Sequence, residues 1–120
     1  MSTLVNKQTE FSLAVAQLII FAAAKDYDIT LGEAWRTDEQ QEIYLKSGKS
    51  KVKRSTHQDR LAIDLNLFKD GNYLTDPSSY RLLGEAWEKL GGRWGGRFGI
   101  SPIDWSSKVG WDSNHFEWPL

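Results

Sequence analysis

The chain has 120 residues and contains no cysteine. Disulfide bonds, thiolate nucleophiles and cysteine-based zinc sites are therefore excluded, and any bound metal must be held by histidine, aspartate or glutamate. The formal net charge is only -1, so no excess of one sign points to nucleic acid or to a membrane surface as a partner. Hydrophobic residues make up 40% and charged residues 26% of the chain, which is typical of a globular protein.

A long hydrophobic run is also missing. The most apolar window, residues 11–24 (FSLAVAQLIIFAAA), is too short to span a bilayer and contains two polar residues. Glu10 directly precedes this window and Lys7 is isolated, which does not fit an export signal. We therefore expect a buried helix here, no stable membrane insertion, and a single domain over residues 1–120.

Apolar periodicity and capping residues predict the first two helices. The first should run from about Glu10 to Lys25, and its apolar stripe consists of Phe11, Val15, Leu18, Ile19 and Ala22. The second should begin at the N-cap Thr37, with Gln40 as capping-box partner, and stop at Gly48.

A third helix is predicted after Asp76, which can cap it, and Pro77, which suits the first helical position. Gly91 should end this helix, and its core residues should be Leu83, Trp87 and Leu90.

Two segments have the period of a β-strand. Residues 61–67 alternate between an apolar face and a second face, which carries Ala62, Asp64 and Asn66. Near the C-terminus, His115 and Glu117 share one face of a short strand. With an extended segment near residues 27–36, the pattern predicts an α+β domain, in which helices pack on one antiparallel sheet and loops rich in Gly and Trp surround one end.

Residues 46–54 (KSGKSKVKR) carry five positive charges. This stretch is either a solvated surface loop or a basic lip that attracts an anionic polymer in a salt-sensitive way. The sequence leaves both interpretations open.

The chain has only two histidines. His57 precedes the strand that contains Asp64, and His115 begins the C-terminal strand. Two imidazoles and one carboxylate form a three-ligand zinc set with one position open for water, as a catalytic site requires. Asp112, three residues before His115, is our candidate for the base that takes the water proton. Glu117 is a second candidate base, or else a partner that orients a ligand.

Arg36 stands between an extended segment and a helix, where it could hold a substrate carboxylate or stabilise a developing oxyanion. The alternative for Arg36 is a surface ion pair worth under about 1 kcal/mol. Simpler roles also exist for the other candidates. A single histidine beside a strand is often structural or on the surface, and Asp64 could cap a turn or pair with a basic residue. The tryptophans could belong to the core and the cleft wall.

The segment STHQDRLAIDL resembles the Ser-x-His-x(6)-Asp signature of the M15 zinc peptidases, a group of D-alanyl-D-alanine carboxypeptidases and L-alanyl-D-glutamate endopeptidases. DSNHFE is similar to the second half of that signature, GEAWRTDEQQEIYL to the arginine-bearing segment of the family, and GGRWGGRF to its glycine-tryptophan loop. The similarity extends from about Phe11 onward. Many members have glycine at the position of Arg60, so the shape of that turn is left open.

The resemblance implies one zinc ion held by His57, Asp64 and His115, with Asp112 as catalytic base and Arg36 supporting the substrate or transition state. It also implies that Ser55 lies near the site, and that the substrate is the stem peptide of bacterial peptidoglycan. The aspartate at the base position is most similar to the phage-endolysin branch, which cuts the L-alanyl-D-glutamate bond. That branch implies a bacteriolytic monomer made in the host cytoplasm without a signal peptide, which reaches the cell wall after release.

Three alternatives remain. The enzyme alternative is a D-alanyl-D-alanine carboxypeptidase, which would trim the terminal alanine. An alternative of another class is a non-catalytic wall-binding or phage tail module, against which the presence of Asp112 argues. A nuclease is disfavoured, because the charge is balanced and no phosphate-binding glycine loop precedes a helix.

Overall fold

The computed structural model describes residues 3–52 and 54–119. Its helices are α1 (Leu4–Ala24), α2 (Asp38–Ser47) and α3 (Arg81–Leu90). Its strands are β1 (Asp28–Leu31), β2 (Ala62–Lys69), β3 (Asn72–Tyr73), β4 (Arg93–Trp94) and β5 (His115–Glu117). The predicted α+β class, with helices packed on an antiparallel sheet, is confirmed.

Strand β2 is the centre of the sheet, whose order is β1-β2-β5-β4, with β3 also paired to β2. All pairs are antiparallel. Along the β2–β5 ladder, Asp64 is opposite His115 and Ala62 is opposite Glu117. Because side chains alternate along a strand, these four residues share one face, while Phe116 points to the other.

Helices α1 and α3 pack against the Phe116 face and close the hydrophobic core. Trp87 lies at its centre, in edge-to-face contact with the rings of Phe11 and Phe116, and its indole N–H donates to the backbone oxygen of Glu117 at 2.9 Å. The alternation predicted for residues 61–67 is confirmed on this face. The buried core consists of Phe11, Ala14, Leu18, Ala22, Leu61, Ile63, Leu65, Leu67, Tyr80, Leu83, Trp87, Trp94 and Phe116.

The first helix begins earlier than predicted, at Leu4 rather than near Glu10. The Thr3 hydroxyl accepts a hydrogen bond from the backbone N–H of Asn6 and caps the first turn, in which Leu4 and Val5 are exposed. The second helix agrees with the prediction, because the Thr37 hydroxyl accepts from the Gln40 N–H and Gly48 ends the helix at φ 81°. Within residues 3–52 and 54–119, no helix is long and apolar enough to cross a membrane.

The third helix differs in two details. Asp76 caps the segment as predicted, by accepting from the N–H of Ser78, but residues 77–80 form a 3₁₀ turn and the α-helix starts only at Arg81. Leu90 is 38% exposed and does not belong to the core. Gly92 lies directly against the Trp87 indole instead, so close that an added Cβ would be 2.1 Å from its nitrogen.

Gly84 tests this packing, because it lies on α3 where an added Cβ would come within 2.0 Å of the Trp94 ring. In an exposed helix, Gly→Ala would be stabilising by about 1 kcal/mol. Here we expect Gly84→Ala to lower the free energy of unfolding by about 1–3 kcal/mol, because the ring must move. Urea denaturation measures the change, with the exposed Lys89→Ala on the same helix as control. A Gly84→Ala protein as stable as wild type would contradict this packing.

Candidate metal centre

The β2–β5 ladder places Asp64 and His115 next to each other. They are directly opposed in the register, so their side chains leave the sheet on the same face and at the same height. Asp64 Oδ1 lies 3.5 Å from His115 Nδ1. This cross-strand pair is the fixed part of the site.

His57 is brought to this pair by a compact turn before β2. The hydroxyl of Ser55 accepts from the backbone N–H of His57 at 3.2 Å, and Leu61 N donates to Thr56 O at 3.1 Å, which closes the turn. His57 Nε2 lies 3.4 Å from Asp64 Oδ1. Ser55 is buried and thus positions the turn that carries His57.

Arg60 stands in this turn at the position where the family resemblance predicts glycine. Its φ is 57°, in the left-handed region where glycine is favoured. For an L-residue this conformation costs about 1–2 kcal/mol. The guanidinium lies 4.8 Å from the centre of the Trp35 ring, a cation–π contact that offsets part of that cost.

The three side chains fit a zinc ion. One ligand atom from each of His57, Asp64 and His115 lies within 4.8 Å of the other two, and Asp64 Oδ1 is 3.4–3.5 Å from the imidazole nitrogens that face it. Ligands about 2.0–2.1 Å from a tetrahedral zinc ion are separated by about 3.3 Å. The histidine side chains are 3% and 8% exposed and that of Asp64 is 25% exposed. Solvent therefore reaches the group from the Asp64 side.

Glu117 fixes the orientation of the His115 ring. His115 Nε2 and Glu117 Oε1 are 2.8 Å apart, so the carboxylate can accept the Nε2 proton and leave Nδ1 free to face Asp64. Thr56 also donates to Glu117, and Arg93 lies 3.4 Å from it. Burial raises the pKa of Glu117, but the bond from His115 and the charge of Arg93 outweigh burial and lower it below its ordinary value.

Asp112 is joined to His115 by a tight turn, in which His115 N donates to Asp112 O at 3.1 Å. Its carboxylate interacts electrostatically with His115, Asp64 and His57. Burial raises the pKa of Asp112 above its ordinary value; positive charge on His115 opposes this, and the negative charge of Asp64 adds to it. The structure therefore brings Asp112 to the group as a carboxyl with an elevated proton affinity.

The Arg36 side chain is largely shielded from solvent and firmly held. Its Nε donates to Glu33 at 2.6 Å and its Nη1 to Gln41 at 2.6 Å, and its guanidinium lies 4.7 Å from the centre of the Tyr44 ring. The side chain is only 11% exposed. Arg36 therefore forms an ion pair with Glu33, one that is largely shielded from solvent, and its role in chemistry stays a prediction.

The basic stretch 46–54 is tied to the second helix. The buried Gln41 donates to the backbone oxygen of Val52 at 2.6 Å and to the Ser50 hydroxyl. Lys49 lies over the ring of Tyr44, and Lys53 lies outside the described residues. Neither interpretation of this stretch is decided by these contacts.

Glu33 is the site residue that the sequence analysis missed. Its backbone oxygen accepts from Asp64 N at 2.9 Å, its carboxylate pairs with Arg36, and its Oε1 lies 3.9 Å from His57 Nδ1. The available signal was an acid three positions before Arg36 in GEAWR. That signal is weak, because such pairs are common on protein surfaces.

Comparison with known proteins adds independent findings. The peptidase M15 family model described as D-alanyl-D-alanine carboxypeptidase matches residues 48–118, more than half of the chain and all of the metal-binding group. No curated protein sequence matches the chain significantly.

Several solved structures share the fold. The Serratia marcescens L-Ala D-Glu endopeptidase ChiX is similar with a TM-score of 0.66 at 19% identity, over 94% of this chain and 86% of that one. A mutant of the vancomycin-resistance D,D-pentapeptidase VanY, in complex with Zn(II), has a TM-score of 0.59 at 22% identity, over 90% of this chain and 70% of that one. VanYB in complex with D-Alanine-D-Alanine has a TM-score of 0.58 at 21% identity, over 90% of this chain and 68% of that one. At these identities the likeness shows the fold alone.

The proton on His115 makes the stability of the metal-free protein depend on pH. Burial lowers the pKa of His115, but hydrogen bonds to Asp64 and Glu117 outweigh burial and raise it from 6.5 to about 9. Below pH 6.5 the folded and unfolded states both hold this proton, whereas between 6.5 and 9 only the folded state does. Stability should therefore fall as pH rises through this window, by at most about 1.4 kcal/mol per pH unit.

Urea denaturation of chelator-treated protein at pH 6, 7.5 and 9 measures this effect. The zinc-loaded protein is the control, since zinc in place of the His115 proton should remove the loss. If the metal-free protein is as stable at pH 9 as at pH 6, or more stable, the raised pKa of His115 in the folded state would be contradicted.

Proposed function

Because the chain belongs to the M15 family of zinc-dependent peptidases, we propose that it hydrolyses the stem peptide of bacterial peptidoglycan and cuts the L-alanyl-D-glutamate bond. The observation that carries this proposal is the convergence of His57, Asp64 and His115 within 4.8 Å, with the raised-pKa carboxyl of Asp112 beside them. When bound by the three ligands, zinc lowers the pKa of a water molecule and polarises a carbonyl group.

Asp112 is the proposed base, which takes the proton of the attacking water and passes it to the leaving amine. Burial raises its pKa above the ordinary value, which is the direction that favours a carboxylate as proton acceptor. Glu117 is less suitable, because His115 and Arg93 stabilise its charged form and lower its pKa. We assign Glu117 the role of orienting His115.

Arg36 supplies a fixed positive charge next to the His57 turn, since its backbone N–H donates to His57 O at 3.3 Å. We propose that this charge supports a substrate carboxylate or the oxyanion that forms at the scissile bond. Glu33, Gln41 and Tyr44 hold the guanidinium in one place, which is what preorganised charge stabilisation requires.

The choice of bond is supported by the resemblance of the Asp112 motif to the endolysin branch, and by the likeness of fold to ChiX, an L-Ala D-Glu endopeptidase. The description of the matching family model favours a second candidate, a D-alanyl-D-alanine carboxypeptidase. A non-catalytic wall-binding module is disfavoured, because such a protein has no need of the half-buried Asp112 carboxyl beside a metal group.

Substitutions separate metal binding from proton transfer. We expect Asp112→Ala to keep its zinc but to lower kcat by about 10²–10⁴-fold, the usual contribution of a general base. His57→Ala should lose both zinc and turnover, because it removes a ligand. Metal analysis and peptidoglycan digestion measure the two effects, with the exposed Asp28→Ala as control. Full wall-digesting activity in Asp112→Ala would rule out its role as base.

Mass spectrometry of purified muropeptides after digestion identifies the bond. Cleavage of L-alanyl-D-glutamate releases the stem after its first residue, whereas a carboxypeptidase removes one terminal alanine. We expect the first product. Loss of a single alanine would support the second candidate, and binding to the wall without cleavage by zinc-loaded protein would support a binding module.

A further inference from the structure

The two histidines differ in the environment of the ring nitrogen that faces away from Asp64. For His115 this atom is Nε2, which is 2.8 Å from Glu117. For His57 it is Nδ1, a buried atom that finds no hydrogen-bond partner in the part of the chain that the structure describes. Because Nε2 of His57 faces Asp64, a metal-bound ring carries its proton on Nδ1. A buried N–H of this kind requires an acceptor.

Glu33 is the carboxylate that faces this atom, with its Oε1 3.9 Å from His57 Nδ1. Two contacts keep the carboxylate from turning away. Arg36 Nε donates to Oε1 at 2.6 Å, and the Tyr44 hydroxyl lies 3.3 Å from Oε2. A closure of about 1 Å brings Oε1 within hydrogen-bonding distance of Nδ1.

The backbone next to Glu33 is bonded to both ends of the metal-binding group. Gly32 N donates to Asp64 O at 2.7 Å, Asp64 N donates to Glu33 O at 2.9 Å, and Arg36 N donates to the oxygen of His57. The approach at Gly32 is so close that an added Cβ would lie 2.9 Å from Asp64 O. The position of Glu33 relative to these ligands is thus set by the main chain.

We propose that Glu33 is a positioning residue, which accepts the Nδ1 proton of His57 and thereby directs Nε2 to the metal, while the same carboxylate holds Arg36. The inference rests on the proposed function, since it assumes the zinc site. One acid then serves each histidine, Glu33 for His57 and Glu117 for His115. The two rings would then present different nitrogens to a bound ion, Nε2 from His57 and Nδ1 from His115, the atoms that face Asp64.

Nitrogen-15 NMR of the zinc-loaded wild-type protein reads these tautomers directly, and only two imidazoles contribute signals. We expect His57 to show a slowly exchanging Nδ1–H shifted downfield by a carboxylate acceptor, and His115 to show an Nε2–H. A His57 ring that binds zinc through Nδ1, or whose Nδ1 proton exchanges freely, would overturn the proposal. This measurement needs no variant and no substrate.

Zinc affinity of Glu33 variants supplies the second test. Loss of a partner that orients a ligand histidine weakens metal binding by about 10–100-fold, so we expect Glu33→Ala to raise the zinc Kd by that factor. Glu33→Gln keeps an acceptor oxygen and should restore most of the affinity and the Nδ1–H signal. The control is Glu42→Ala, whose carboxylate is 65% exposed and pairs with Lys46, and it should leave the Kd unchanged.

The outcomes separate this inference from the proposed function. Wild-type affinity in Glu33→Ala, with intact cleavage of peptidoglycan by the wild-type protein, would overturn the role of Glu33 and leave the function standing. If zinc binding depends on Glu33 but the wild-type protein cleaves no stem peptide, the role of Glu33 would stand and the proposed function would be overturned. If Glu33→Ala does not fold, the wild-type tautomers and the Glu33→Gln affinity decide the question. A wild-type protein that binds no zinc would overturn both.

Discussion

The β2–β5 ladder sets one carboxylate beside one imidazole on the polar face of the sheet, and the other site residues are arranged around this pair. A slip of one residue in the register would send Asp64 and His115 to the core face. The slip is opposed by Ile63 and Phe116, which are buried at the neighbouring register positions. Further backbone bonds, such as Trp118 N to Leu61 O at 2.8 Å, lengthen the ladder. Burial of apolar surface on one face thus fixes the site on the other.

The charges on the polar face explain why a central strand tolerates Asp64. Burial raises the pKa of Asp64, but hydrogen bonds from His115 and His57 outweigh burial and lower it to about 2. The group as a whole contains three acids, Asp64, Asp112 and Glu117, whose negative charges all interact with the His115 imidazole. Without metal, a proton on His115 compensates them. Because a metal ion must displace that proton, zinc affinity should rise with pH.

Sequence reasoning succeeded where the signal is local. The strand alternation at residues 61–67, the caps at Thr37 and Asp76, and the left-handed Gly48 all depend on near neighbours. The spacing of the two motifs, together with the family resemblance, also selected the three side chains that the structure brings together. It did not find the start of the first helix, because five polar residues, 6–10 (NKQTE), separate its first turn from the apolar stripe that begins at Phe11.

The residues that sequence reasoning missed depend on contacts between distant segments. Glu33 lies next to His57 only because the chain around Gly32 is bonded to β2, a pairing that no local pattern reports. Arg60 stands where the family resemblance predicts glycine, and it adopts the backbone conformation that glycine favours. Its stacking partner, Trp35, comes from that same segment before the second helix. One stretch of chain therefore supports the His57 turn from two sides.

The turn from Asp112 to His115 is held by backbone contacts, which leaves the Asp112 side chain free. Gly95 packs against it so closely that an added Cβ would lie 2.1 Å from Asp112 O and 2.9 Å from His115 Cβ. The Trp94 indole donates to Ser113 O at 2.7 Å and anchors the same turn from the core side. The glycine and tryptophan of the GGRWGGRF segment thus fix the distance between the proposed base and the β5 ligand. Within residues 3–52 and 54–119, no hydrogen bond that shapes the turn uses its carboxylate, so a base held in this way can exchange its proton without loss of these bonds.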